Sequence, residues 1–236
     1  MSYIKGRGAQ INPNDPFSSL VRDEQIPQEE VEEGRLRKSE AILVYPKSIV
    51  NKVPSPDVGM EYSLNPYQGC EHGCIYCYAR NTHPYWGYSA GLDFETKIMV
   101  KKNAPYLLEE FLRKPKWDGT PIMLSGNTDC YQPLEKKFEI TRSLLKVFWK
   151  YRHATGIITK NSLVRRDIDI LKDLNSLGLV KVAISINTLN ESLRRKLEPR
   201  TASVKERLKT MAFLAKEGIP VMLGPSASPR VSSTLR

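Results

Sequence analysis

The chain has 236 residues, 40% of them apolar, and a formal net charge of +10. That length supports one substantial hydrophobic core, so a single main domain is expected. No run of about 18 apolar residues is present, which excludes a transmembrane helix. The first twenty residues have no apolar signal-peptide core, so the cytosol is the expected compartment.

Residues 1–58 read as an irregular extension, punctuated by Pro and Gly, with one short apolar run, AILVYP at 41–46, expected as a strand. Its stretch from 21 to 40 is mostly acidic, whereas bases outnumber acids from Lys136 onward. A basic face suits a polyanion, and nucleic acid is the partner class this charge favours. From residue 59 a repeating pattern begins. MEYSLNPY (60–67) alternates like a strand and runs into three cysteines. KIMV (97–100) is expected as a short extra strand and APYLLEEFLRK (104–114) as a helix. Then follow a strand at 120–126, a helix at 139–153, a strand at 155–160, and an amphipathic helix at 164–178 stopped by Gly178. A strand at 179–187, a helix at 203–218 with Ser203 as its N-cap, and a strand at 219–223 complete the series.

Strands alternating with helices predict an α/β fold with a parallel sheet, either a partial barrel or an open doubly wound sheet. The apolar runs predict strands covered on both faces. In either architecture, binding residues collect at the carboxyl ends of the strands.

The cysteines are Cys70, Cys74 and Cys77, spaced C-x3-C-x2-C; Cys130 stands alone. In a cytosolic chain, clustered cysteines point to metal or redox chemistry before disulfides. Structural zinc wants four ligands, and the fourth would have to be His72, His83 or Cys130. Three inert core thiols fit poorly with a glycine-bearing loop. A [4Fe–4S] cube normally takes four cysteines, so three would leave one iron open to a small molecule. His153 ends a helix and is expected to cap it.

The motif CEHGCIYC resembles the signature of the radical S-adenosylmethionine superfamily. NPYQGCEHGCIYCYAR, GLDFETKIMVKKNAP, TDCYQPLEKKFEITR, LVRRDIDIL and LEPRTAS are similar to the branch grouped with spore photoproduct lyase, called DNA repair photolyase-like. The likeness covers residues 60–224, and GRGAQINP near the amino terminus resembles the same group. It implies a partial (β/α)6 barrel with about five strands. It also implies a [4Fe–4S] cluster on Cys70, Cys74 and Cys77, and S-adenosyl-L-methionine chelated by the open iron. Reductive cleavage of that cofactor would give methionine and a 5′-deoxyadenosyl radical that abstracts hydrogen from a substrate. A flavodoxin- or ferredoxin-like electron donor is implied as partner.

Carried onto this sequence, the resemblance places Ser125, Gly126 and Asn127 against the methionine amino group, Ser185 toward the ribose, and Tyr76 beside the adenine. Lys160 and Arg200 are the two candidates for the cofactor carboxylate, with Arg200 preferred because its guanidinium can pair in a bidentate way. Cys130, in TDCYQPLE, is read first as a small buried hydrophobe and alternatively as a hydrogen donor. The family pattern continues into a sixth strand and helix. Here SASPRVSSTLR follows GIPVMLGP, so 59–224 is expected as a C-terminally truncated core and 225–236 as a disordered tail. The inner face of the last strand, around Val221 and Leu223, is then expected to lack its partner. The alternative function is a truncated, non-catalytic remnant that holds an iron–sulfur cluster or zinc.

Overall fold

The fold places five parallel strands side by side. In the computed structural model, residues 4–13, 38–54 and 59–224 are described; most of the acidic stretch and the expected tail 225–236 lie outside the described residues. The strands are β1 (Glu40–Val44), β2 (Val50–Lys52), β3 (Tyr62–Leu64), β4 (Tyr67–Gln68), β5 (Lys97–Lys101), β6 (Ile122–Leu124), β7 (Thr155–Thr159), β8 (Val180–Ser185) and β9 (Val221–Gly224). The main sheet runs β2-β3-β6-β7-β8-β9, with β2 antiparallel to β3 and every other pairing parallel. A smaller sheet, β1-β5-β4, carries the expected 41–46 and 97–100 strands together, paired in parallel.

Every crossover in the main sheet carries helix. These are α1 (Asp93–Thr96) and α2 (Ala104–Leu112), α3 (Glu135–Phe138) and α4 (Ile140–Lys150), α5 (Ile168–Asn175), and α6 (Glu191–Leu197) and α7 (Val204–Lys216). The result is the mixed α/β architecture expected of a partial barrel. Ser203 caps α7, its Oγ accepting from the Glu206 N–H at 3.2 Å. Gly178 lies in the left-handed region with φ 69°. The segment expected as one helix at 164–178 starts as a 3-10 turn over Ser162–Asp167. Helix α6 went unseen in the sequence; Asn190 caps it through Oδ1, which accepts from Ser192 and Leu193 N–H.

Two sequence expectations change here. MEYSLNPY is two strands in two sheets, because Pro66 has no N–H with which to extend the β3 ladder. The main-sheet strands are also not covered equally on both faces. Register aligns Leu64, Leu124, Ile157, Val182 and Val221 in one row. The first four are fully buried in the core, and Val221 packs against it. The opposite row carries Ser63, Met123 and Gly156 at one level, and Ile158, Ala183 and Met222 at the next. From β6 to β9 this row lines a cavity. Val221 and Leu223 therefore share the helix-facing row, and Met222, 51% exposed, is the inner residue of β9.

His153 caps α4 as expected, through its backbone: its N–H donates to Phe148 O at 2.9 Å and the Arg152 N–H to Trp149 O at 3.0 Å. The His153 Nε2 accepts from the Trp117 indole N–H at 3.0 Å, and Arg152 makes the turn with φ 47°.

Leu124 sits at the centre of the helix-facing row with no exposed surface. Leu124→Ala should lower stability by about 2–5 kcal/mol, read as a reduced urea midpoint with an unchanged m-value.

Candidate metal centre and cofactor cavity

The three cysteines follow β4 on a loop outside any helix or strand; apart from the turn in which the Cys77 N–H donates to Cys74 O at 3.3 Å, its polar groups find partners elsewhere in the chain. Cys70 and Cys74 are 7% exposed, Cys77 is half-buried, and all are free thiols. The Cys70 N–H donates to Phe94 O at 2.8 Å. Glu71 N–H donates to Gln132 Oε1 at 3.0 Å, while the Glu71 carboxylate accepts from Leu134 N–H at 2.7 Å and from Arg200 at 3.3 Å. His72 places Nδ1 3.3 Å from Asp129 Oδ2, and its carbonyl accepts from Arg200 N–H at 3.2 Å. Gly73 has φ 66°, and a Cβ there would stand 2.7 Å from Glu95 Oε2. The Cys74 carbonyl accepts from Arg80 at 3.0 Å, and Ile75 N–H donates to Leu197 O at 3.0 Å. The Tyr76 hydroxyl bonds to Glu198 and Asn187, and the Tyr78 hydroxyl to the Gly126 carbonyl.

Cys74, Tyr76 and Cys77 face a cavity of about 970 Å³. Its other wall holds Ser125, Gly126, Asn127, Asp129, Lys160 and Ser185 at the carboxyl ends of β6, β7 and β8. The structure thus gathers Tyr76, Ser125, Gly126, Asn127, Ser185 and Lys160 around one space. It does not bring Arg200 there: that side chain is occupied with Glu71 on the cysteine loop. Cys130 is fully buried in the helix-side core, its N–H donating to Ser125 Oγ at 2.7 Å. His72 pairs with Asp129, and His83 is buried against Phe94 and Tyr88.

Ser125 holds a left-handed φ of 71°, an uncommon conformation for a non-glycine residue. It is stabilised by its neighbours: the Ser125 N–H reaches Leu64 O at 3.1 Å, and Asn65 Oδ1 accepts from Asn127 and Thr128 N–H at 2.8 and 3.2 Å. Gly126 is required by packing, since a Cβ there would lie 2.7 Å from Ser63 Cβ on the adjoining strand.

With the fold and the loop geometry in view, the kinship can be stated. The family model described as "Radical SAM superfamily" matches residues 64–228. The chain belongs to the radical SAM superfamily. An uncharacterized protein of Mycobacterium tuberculosis is 33% identical over 182 residues, covering 76% of this chain and 54% of the relative. One of Methanocaldococcus jannaschii is 34% identical over 182 residues, covering 77% and 65%. The chain thus spans a little over half to two thirds of the length of these relatives. Among solved structures, spore photoproduct lyase complexed with dinucleoside spore photoproduct superposes with a TM-score of 0.59 at 18% identity, over 79% of this chain and 51% of the lyase. That likeness establishes the shared fold.

The chemistry of this radical SAM site follows from burial and charge. Burial pushes the Cys70 thiol well up and the Cys74 thiol up to about 12, with neighbouring carboxylates and thiols adding to the rise. Lys160 opposes the rise at Cys74. Thiols held this way release protons when they take a metal. Burial would depress the Lys160 ammonium, but Cys74, Glu198, Asp129 and Cys77 around it raise its pKa instead. Its Nζ makes no hydrogen bond or ion pair among the described residues. Ser185 Oγ is likewise buried and unpartnered, and it faces the same cavity.

The residues present fit an iron–sulfur cluster with a bound zwitterionic nucleoside. The donors are three thiols on one loop; a cation and an unsatisfied hydroxyl stand across the cavity. Among the described residues no three His, Cys, Asp or Glu side chains converge on a single ion, whereas the thiolates of a cube bind separate irons.

The sequence reading overlooked Asp129, Asn187 and Glu95. Asp129 and Glu95 lay in quoted stretches, TDCYQPLE and GLDFETKIMVKKNAP, and the position of Asp129 next to Cys130 was the available signal. Burial raises the Asp129 carboxyl, but His72, the Lys160 N–H and the Thr159 hydroxyl outweigh it and hold the pKa at about 2. A carboxyl depressed below its unfolded value near 4 contributes stability above that value and loses it as pH falls toward 2. Asp129→Asn should therefore be less stable than wild type by about 2 kcal/mol at pH 7. The gap should narrow steadily below about pH 4; urea titrations at pH 7 and pH 2.5 that show the same gap would contradict this assignment.

Proposed function

We propose that the chain is a radical S-adenosylmethionine enzyme whose Cys70, Cys74 and Cys77 ligate three irons of a [4Fe–4S] cluster. The observation that carries this reading is the arrangement of one cavity. Thiols on the cysteine loop face the Lys160 ammonium, which has no ion pair among the described residues, and an unpartnered Ser185 hydroxyl on the strand ends. When bound, the reduced cluster and S-adenosyl-L-methionine supply one-electron cleavage of a sulfonium–carbon bond, giving a 5′-deoxyadenosyl radical for hydrogen abstraction.

The chain's own residues position and shield that cofactor. Lys160 pairs with the cofactor carboxylate, because Arg200 is already engaged by Glu71. Tyr76, its hydroxyl fixed by Glu198 and Asn187, offers its ring to the adenine. Ser185 Oγ meets a ribose hydroxyl, and the strand end at Ser125–Asn127 meets the methionine amino group. Tyr78 reaches from the cysteine loop to Gly126 across the mouth of the cavity and limits the entry of water.

Nucleic acid is the substrate class favoured, on the strength of the +10 net charge and its concentration in the second half of the chain. A lyase-like reaction, a flavodoxin- or ferredoxin-like reductant and a cytoplasmic location complete the reading. Among the described residues no helix is long and apolar enough to cross a membrane.

Anaerobic reconstitution should load about four irons per chain, and Cys74→Ala should abolish loading. S-adenosylmethionine should change the EPR spectrum of the reduced cluster and yield 5′-deoxyadenosine. Lys160→Ala should keep the iron but raise the cofactor Kd about tenfold or more, a loss of about 1.4 kcal/mol. Stoichiometric zinc with no iron uptake would instead identify a non-catalytic remnant.

A further inference from the structure

GRGAQINP lies more than fifty residues before the first clustered cysteine, yet it packs directly on their loop. One buried carboxylate makes the junction. Glu95 has no exposed surface. Its Oε2 accepts from Gly8 N–H at 3.0 Å and its Oε1 from Ala9 N–H at 2.7 Å. Arg80 Nη2 also reaches Glu95 Oε1 at 2.5 Å, and the same nitrogen donates to the Cys74 carbonyl at 3.0 Å. Arg7 completes the junction by donating to Glu95 O at 2.6 Å and to Ser39 Oγ at 3.2 Å.

The rest of the segment is bonded in step along residues 89–93. Leu92 N–H donates to Ile11 O at 3.1 Å. Asn12 and Asp93 exchange two hydrogen bonds at 2.9 and 3.0 Å. Ser89 Oγ donates to Pro13 O at 3.0 Å. At its tightest point a Cβ on Gly8 would lie 1.9 Å from the Gly73 carbonyl oxygen, between Cys70 and Cys74. No side chain fits there without parting the two segments.

We propose that residues 6–13 are a strap, fastened by Glu95, that holds the cysteine loop in its ligating shape. Glu95, Arg80 and Gly8 are positioning residues: none of them is a ligand, and each acts through the backbone of Gly73 or Cys74. A carboxylate buried this deeply is stable only while its donors remain, so loss of the strap leaves Glu95 with Arg80 alone and loosens the hold of Arg80 on Cys74. Outer partners of metal ligands commonly matter 10–100-fold for metal affinity. The inference rests on reading the three cysteines as cluster ligands, but its first test does not need the cluster.

In the metal-free 236-residue chain, the rates at which iodoacetamide modifies each cysteine are measured by mass spectrometry for wild type, Gly8→Ala and Glu95→Gln. Cys130, fully buried in the core, reports global unfolding within the same sample. The expected result is at least a tenfold faster modification of Cys74 with Cys130 still protected, in one or both variants. Faster modification of Cys74 in neither variant, or only in step with Cys130 in both, overturns the strap.

In reconstituted protein, the same variants should lose iron to a ferrous chelator about tenfold faster than wild type, and an unchanged rate in both also overturns it. A wild-type chain that takes up no iron would defeat the proposed function while leaving the alkylation result to decide the strap.

Discussion

The structure depends on one constraint: a loop that belongs to no helix or strand carries three thiols, two of which, Cys74 and Cys77, line the cavity. A helix or strand satisfies its own backbone; this loop does not, so its N–H and C=O groups recruit partners from the rest of the chain. Each of those partners comes from a different element. Phe94 comes from α1, Gln132 from the turn before α3, Arg80 from the 3-10 turn after the motif, Leu197 from the end of α6, and Arg200 from the turn after it. The parallel sheet brings these turns to one end, because every crossover returns its strand with the same polarity. The barrel-like sheet is thus a frame for the loop as much as a wall for the cavity.

The sheet divides its two faces between stability and binding. The helix-facing row of Leu64, Leu124, Ile157 and Val182 is fully buried, and it carries the apolar area that holds the domain together. The inner row is built from smaller or flexible side chains. At Gly156 even a Cβ would meet the Met123 thioether at 2.7 Å. Space for a ligand exists because these residues leave it empty. The strained Ser125, an arrangement that costs on the order of 1–3 kcal/mol, is accommodated where the sheet ends and the cavity begins.

The sequence carried much of this in readable form. Apolar runs separated by helical spacing located the parallel strands. The rule that binding collects at strand ends puts Ser125, Gly126, Asn127 and Ser185 on the cavity they line. What escaped was the set of buried charges. Glu95, Asp129 and Glu198 look like ordinary acids in a sequence that is 26% charged, and periodicity compares only neighbours along the chain. Their partners are remote or ambiguous: Glu95 meets Gly8 across 87 positions, and Glu198 pairs with Arg207 although Arg200 is nearer in sequence. The partner of Arg200 was hidden for the same reason; the acid that it bonds, Glu71, is 129 residues away. The split of MEYSLNPY into two sheets was signalled by Pro66, but only the geometry shows that both halves remain strands.

The reach of the Tyr76–Glu198 contact sets a timetable for biosynthesis. The two residues are separated by 122 positions. At about 5–20 residues per second of synthesis, roughly 6–24 s pass between completion of the cysteine motif and completion of Glu198, the residue that fixes Tyr76. For that interval the three thiols exist on a nascent chain without the far side of their enclosure. The loop is therefore made well before its enclosure can close.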